Sequence, residues 1–240
     1  MPLILHHIDF DEDSYKVRLL LGLLGLDYRS LRGEPAAGNP AAAETARNLP
    51  CLIDDDIAVH EAEAILAYLA RRHDWRDEWL PADDPRLFGQ TMTWLAFASR
   101  KLRAVGLVDP LFGLAPDDPD ARDAACRAFR HLDAHLTARH LAGATWCVGR
   151  NATIADVAVF PAAALSARAG FDLAPYPAIG RWMERVRRLP GFVDEPEMPA
   201  PERPRAAPRP QPPHPALLSL PRGNVVAMPA AWARAGGTAA

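Results

Sequence analysis

Residues 48–69 read Asn48-Leu49-Pro50-Cys51-Leu52-Ile53-Asp54-Asp55-Asp56-Ile57-Ala58-Val59-His60-Glu61-Ala62-Glu63-Ala64-Ile65-Leu66-Ala67-Tyr68-Leu69, and the fold turns on them. Residues 51–54 and 57–59 are short apolar runs on either side of Asp55-Asp56. That is the arrangement of a tight hairpin, although neither turn residue is the glycine such turns favour. Apolar residues at helical spacing then run over residues 61–72. Working upstream, residues 3–6 read as a strand, and Asp11-Glu12-Asp13-Ser14 supplies helix-start chemistry before Val17, Leu20, Leu21 and Leu24. Gly25 is placed to stop that helix, residues 27–31 form a second strand, and the alanine-rich residues 41–47 form a further helix. A βαβαββα order results.

Working downstream, the stretch from His73 to Pro85 carries prolines, acids, Trp75 and Trp79, and reads as a packed connection with a domain boundary near residue 80. Only helical patterns follow. Residues 85–105 open with proline in the first turn, and residues 119–142 carry Leu132, Leu136 and Leu141 as an apolar stripe. Thr153-Ile154-Ala155-Asp156 has capping-box spacing with Asp in the usual Glu or Gln place, and residues 177–189 are amphipathic. From residue 193 to 240 the composition changes, with 11 of the chain's 24 prolines in 48 residues. This tail is expected to be disordered or polyproline-like. Its Pro208–Pro213 segment is either a ligand for an aromatic groove of a protein partner or a solvated extension. The expected division is 1–80, 81–192 and 193–240.

Composition narrows the function classes. Of 240 residues, 49% are apolar, enough for a large core or two modest ones, and 27 basic against 30 acidic side chains leave a net charge of -3. No basic excess exists for nucleic acid. Residues 1–80 hold 8 basic and 15 acidic side chains, leaving 19 and 15 for the remainder, an asymmetry that fits two domains. Cys51, Cys126 and Cys147 are too scattered for a disulfide framework or a zinc site. The apolar run 19–26, broken by Gly22 and Gly25, is far short of the ~20 residues of a membrane span, and the first residues lack the basic region of a signal peptide. A cytoplasmic protein is expected, with no membrane and no nucleic acid among its partners.

A small βαβ unit, Leu49-Pro50 before a strand, a hairpin, a helix from Glu61 and a following all-helical part together resemble the glutathione transferase family over about residues 1–192. Ser14-Tyr15-Lys16-Val17-Arg18-Leu19, Asn48-Leu49-Pro50-Cys51-Leu52, Glu61-Ala62-Glu63-Ala64-Ile65 and Thr153-Ile154-Ala155-Asp156 carry the resemblance. It implies a thioredoxin-like α/β domain followed by an all-α bundle, a homodimer, and glutathione as cosubstrate with no metal. It also implies a cis Pro50, with the Leu49 backbone pairing with the cysteinyl part of glutathione. Glu61 is implied beside the γ-glutamyl group, its carboxylate suiting the ligand ammonium and the helix amides its carboxylate. Asn48 is either a donor to the ligand or a loop-capping amide.

Two departures from the family pattern bear on chemistry. The serine that usually follows the acidic residue is Ala62 here, and the lost hydrogen bond to a charged group corresponds to ~1.5–3 kcal/mol, about tenfold or more in affinity. The hydroxyl that steadies the thiolate in serine-type branches is replaced by Asp11, with Glu12 and Asp13 after it. At ~4 Å and an effective dielectric of ~20, like charges repel by ~4 kcal/mol, about three pKa units against the thiolate. Either Ser14 donates to the thiolate or it only caps its helix; otherwise Asp11 turns outward and His6, His7 or Tyr15 approaches the thiol. Cys51 reads as a buried strand residue, and His131 and His135, four apart without an intervening acid, are a weak metal pattern. The expected activity is glutathione transfer to a small, apolar electrophile, with Ser14 as the catalytic candidate. The other reading is a catalytically silent interaction scaffold of the same fold, which the acidic triplet and Ala62 favour.

Overall fold

The computed structural model describes residues 3–33, 49–107 and 118–195, all within one compact unit. Strand β1 (Leu3–Ile8) leads into helix α1 (Glu12–Leu23), strand β2 (Tyr28–Gly33), the hairpin β3 (Cys51–Asp54) and β4 (Ile57–His60), and helix α2 (Ala62–His73). The sheet order is β2-β1-β3-β4, with β1 parallel to β2 and antiparallel to β3, and β3 antiparallel to β4. This is the expected thioredoxin-like sheet. The helix expected over 41–47 and the Pro208–Pro213 segment lie outside the described residues.

Local chemistry explains the boundaries. Asp11 caps α1 by accepting the Ser14 N–H at 2.8 Å, and Gly25 follows the helix at φ 66°, a value that suits glycine. The hairpin turns without glycine because Asp55 itself takes the left-handed conformation, φ 52°, which aspartate tolerates better than most residues.

The second part is all helix among the described residues: α3 (Pro85–Phe97), a π-helical turn (Ala98–Leu102), α4 (Arg103–Leu107), α5 (Pro119–Leu141), α6 (Ile154–Leu165) and α7 (Pro177–Arg187). The single helix expected over 85–105 therefore passes through a π-helical turn in its C-terminal half, a feature the apolar spacing does not register. Leu132 and Leu136 are buried as expected, but Leu141 is 82% exposed because α5 ends there, beyond the core. Trp75 also departs from the packed reading of the connection: it is 82% exposed, with the Arg76 guanidinium over its ring, whereas Trp79 packs against the core.

Helix α6 is apolar on nearly every face and lies at the centre. Tyr15 of α1 meets Phe160 edge-on at 6.1 Å between centroids, Trp182 of α7 meets it at 5.9 Å, and the Ile154 N–H donates to the Trp79 carbonyl at 2.9 Å. The two sequence-defined parts thus share one apolar core. Thr153 and Asp156 form the expected capping box, and Asp156 does more than cap. Buried completely, it accepts the Thr153 N–H at 3.0 Å, the Cys147 N–H at 2.9 Å and the Trp182 Nε1–H at 2.8 Å. One carboxylate ties the start of α6, the preceding loop and α7. Asp156→Ala orphans three buried donors and is expected to cost about 3–5 kcal/mol, read as a fall in urea midpoint, against about 1 kcal/mol for Thr153→Ala.

Candidate functional site

Register places the expected site residues at one end of the sheet. His6 of β1 stands opposite Cys51, and Cys51 opposite His60 of β4. The last residues of β1, the Leu49-Pro50 lead into β3, and Glu61 leaving β4 therefore sit side by side, and the starts of α1 and α2 open at the same end. The Leu49–Pro50 bond is cis. The Leu49 side chain lies against Gly33, where an added Cβ would come within 3.1 Å of it and 3.6 Å of Ile8. Asn48 is outside the described residues.

Glu61 is exposed, has φ 64°, and makes no side-chain cap for α2. The first amides of α2 are thus left without a side-chain cap from Glu61, which is the condition for receiving an anionic group. Ala62, the next residue, is 2% exposed and brings no hydroxyl.

At the start of α1 the serine is enclosed. Ser14 has no exposed surface, and its hydroxyl accepts the Ile8 N–H at 3.1 Å. It brackets the end of β1 to the first turn of α1, so a contact between Ser14 and a bound thiolate requires the turn over it to move. Two of the other thiol contacts that the residue pattern left open, Tyr15 and His7, are also engaged. Tyr15 is buried, and its hydroxyl donates to the Val193 carbonyl at 3.1 Å. His7 pairs with the Ser30 hydroxyl at 2.7 Å, and burial, assisted by Arg18, lowers its pKa to about 4, so it carries no charge at neutral pH.

The acids after Phe10 divide by environment. Lys16, 1% exposed, is held by Asp13 at 2.6 Å, Glu63 at 3.1 Å and Glu12 at 3.3 Å, so α1 and α2 are joined through one buried ammonium. Burial works against that charge, but the three carboxylates outweigh it and hold the ammonium well above its usual pKa. Burial pushes Glu12 up to about 7 despite Lys16, and burial together with Asp13 pushes Asp11 up to about 6. Asp11 is therefore mostly ionised at neutral pH and becomes neutral in mild acid. Sequence reasoning missed Lys16, whose burial no local pattern signals.

Elsewhere, Cys51 is 1% exposed with Sγ 3.7 Å from His60 Nε2, and burial raises its thiol to about 11, a strand residue rather than a poised nucleophile. The His135 ring meets Trp94 at 4.4 Å with the planes tilted by 51°, and bonds the Cys147 carbonyl at 2.8 Å, while His131 meets Phe97 at 5.2 Å, tilted by 39°. Among the described residues no cluster of His, Cys, Asp or Glu is placed to hold a metal ion, and no helix is long and apolar enough to cross a membrane.

The ionisation of Asp11 opposes folding, because its folded pKa of about 6 stands above its ordinary 3.8. The stability gained from its neutral form is present below about pH 3.8 and lost as pH rises through about 6. Asp11→Asn, which keeps a capping side chain, is expected to be more stable than the parent by on the order of 2 kcal/mol at pH 8, with the difference closing by pH 4. Paired urea titrations across that range check it.

Comparison with known proteins matches this arrangement. Residues 5–79 match the family model described as glutathione S-transferase, N-terminal domain, and residues 89–190 match glutathione S-transferase, C-terminal domain. The disulfide-bond oxidoreductase YfcG of Escherichia coli K12 is 26% identical over 197 residues, covering 74% of this chain and 87% of its own. A probable maleylacetoacetate isomerase of Vibrio cholerae is 27% identical over 215 residues, covering 80% and 94%. Among solved structures, a possible glutathione S-transferase from Rhodopseudomonas palustris has a TM-score of 0.69 at 24% identity, covering 83% of this chain and all of that one, a likeness of fold. The chain belongs to the glutathione S-transferase family.

Proposed function

We propose that the protein binds glutathione at the sheet end formed by Leu49, Pro50, Glu61 and Ala62, with the Asn48 amide as a further donor to the ligand, and transfers its thiolate to a small, apolar electrophile. The observation that carries this reading is the α2 start left uncapped by Glu61, at the same sheet end as the cis Leu49–Pro50 bond that leads into β3. The amides of α2 suit the ligand's carboxylate, the exposed Glu61 carboxylate its ammonium, and the Leu49 backbone its peptide. Division into a glutathione-binding part, residues 1–80, and a helical part, residues 81–192, with assembly as a homodimer, belongs to the same proposal.

Catalysis then consists of positioning the thiolate and favouring its ionisation. A free thiol of pKa ~8.5 is only a few per cent ionised at neutral pH, and the amides at the start of α1 favour the anion. Ionised Asp11 acts against them. The buried Ser14 reaches the sulfur only if the first turn of α1 shifts, and this favours a second reading in which glutathione is bound without turnover, or the fold serves as a scaffold. The two curated relatives bear the names of an oxidoreductase and an isomerase, so the reaction assayed should not be conjugation alone.

Calorimetric titration with glutathione, followed by aryl-halide conjugation, disulfide reduction and maleylacetoacetate isomerisation assays, tests the proposal. Binding with conjugation supports transfer, binding without any turnover supports the silent reading, and no binding at millimolar glutathione by folded protein removes the assignment. Asp11→Ser, which restores a hydroxyl and keeps a helix cap, is expected to raise kcat/KM for conjugation at pH 7 by tenfold or more, with little gain in acid where the parent carboxyl is already neutral.

A further inference from the structure

The segment that follows α7 runs back along one face of α1. Gly191, at φ 80°, lies so close to Gly22 that an added Cβ on it would collide with the Gly22 carbonyl, and one on Gly22 would come within 2.6 Å of the Gly191 carbonyl. One step further along α1, Arg18 forms an ion pair with Glu195 in which each side chain is only 7% exposed. The next step brings the Tyr15 hydroxyl to the Val193 carbonyl at 3.1 Å and to Asp194 Oδ1 at 3.4 Å. Gly22, Arg18 and Tyr15 are four and three residues apart, one stripe of the helix, so the segment is seated along its length.

The contact ends at the turn in front of the candidate site. Phe10, at φ 64°, is a bulky residue in the left-handed region, where a side chain is tolerated only if its surroundings impose it. Its N–H donates to the Glu195 carboxylate, and its carbonyl accepts Arg168 Nη2 at 2.6 Å. Both backbone polar groups of Phe10 are therefore held by residues more than 150 positions away, and the next residue is Asp11, the cap of α1. We propose that Glu195 is a positioning residue for the glutathione site, fixing Phe10 and through it the Asp11–Ser14 turn. This rests on the function proposed above and adds to it a dependence of the site on the segment beyond α7.

Without Glu195, the Phe10 N–H loses its acceptor, the left-handed turn relaxes, and Arg18 keeps a buried charge without its carboxylate. Glu195→Gln separates these effects, since its amide oxygen still accepts the Phe10 N–H while the charge facing Arg18 is gone. For full-length protein, Glu195→Ala is expected to weaken glutathione binding at least tenfold by calorimetry. Amide exchange of residues 9–14 should rise at least tenfold relative to the sheet. Glu195→Gln is expected to stay within threefold of the parent in both, although its urea midpoint falls as the alanine variant's does. A merely structural role would lower affinity in both variants in step with stability, and that outcome overturns the proposal. So does parental affinity in Glu195→Ala, or exchange that rises evenly along the chain. If Glu195→Ala does not fold, Arg168→Ala removes the other tie to Phe10 and is expected to loosen residues 9–14 and weaken binding at least threefold; unchanged values overturn the proposal equally. Failure of the parent itself to bind glutathione removes the function and this inference together, whereas a binding parent with an equally binding alanine variant removes the inference alone.

Discussion

Enclosure of α1 from Ser14 to Leu21 is the constraint on which the rest of the structure depends. Every residue from Ser14 to Leu21 is buried, with α2, α6 and the segment after α7 packed around the helix. A helix buried on all sides gains apolar contact all round, but each polar side chain on it must find its partner inside the protein. Ser14 takes the Ile8 N–H, Lys16 takes three carboxylates, and Arg18 takes Glu195. Apolar burial supplies the driving force. The polar ties decide how the helix sits, because an ammonium or guanidinium left alone there would cost far more than a lost van der Waals contact.

The candidate site inherits its chemistry from that enclosure. The first turn of α1 must satisfy the helix through Asp11 and Lys16 through Glu12 and Asp13, and this concentrates acids where the helix amides would otherwise favour an anion. The start of α2, by contrast, is left uncapped by Glu61 and carries the small Ala62. One helix start is engaged in holding the fold together, and the other receives no side-chain cap from Glu61.

Much of this was legible in residue order. The strands, the hairpin, the capping residues and the helix starts follow from apolar spacing and from a few side chains with strong local preferences, because these are interactions among near neighbours. The departures share a cause. The π-helical turn after Phe97, the exposed Leu141 and the exposed Trp75 depend on what lies across from them, and helical spacing carries no information about that.

The same division runs through the site. Sequence by itself determined which residues share the sheet end, since strand order and a two-residue turn bring Leu49, Pro50 and Glu61 together once the hairpin forms. It also marked Asp11 and Ala62 as departures, because residue identity at a position is local information. Only tertiary structure decided that Ser14 is walled in, that Asp11 and Glu12 titrate near neutrality, and that Glu195 reaches Phe10 across 185 residues. Burial and long-range charge pairing are properties of the assembled packing, in which a group's energy is set by whatever surrounds it, however distant along the chain.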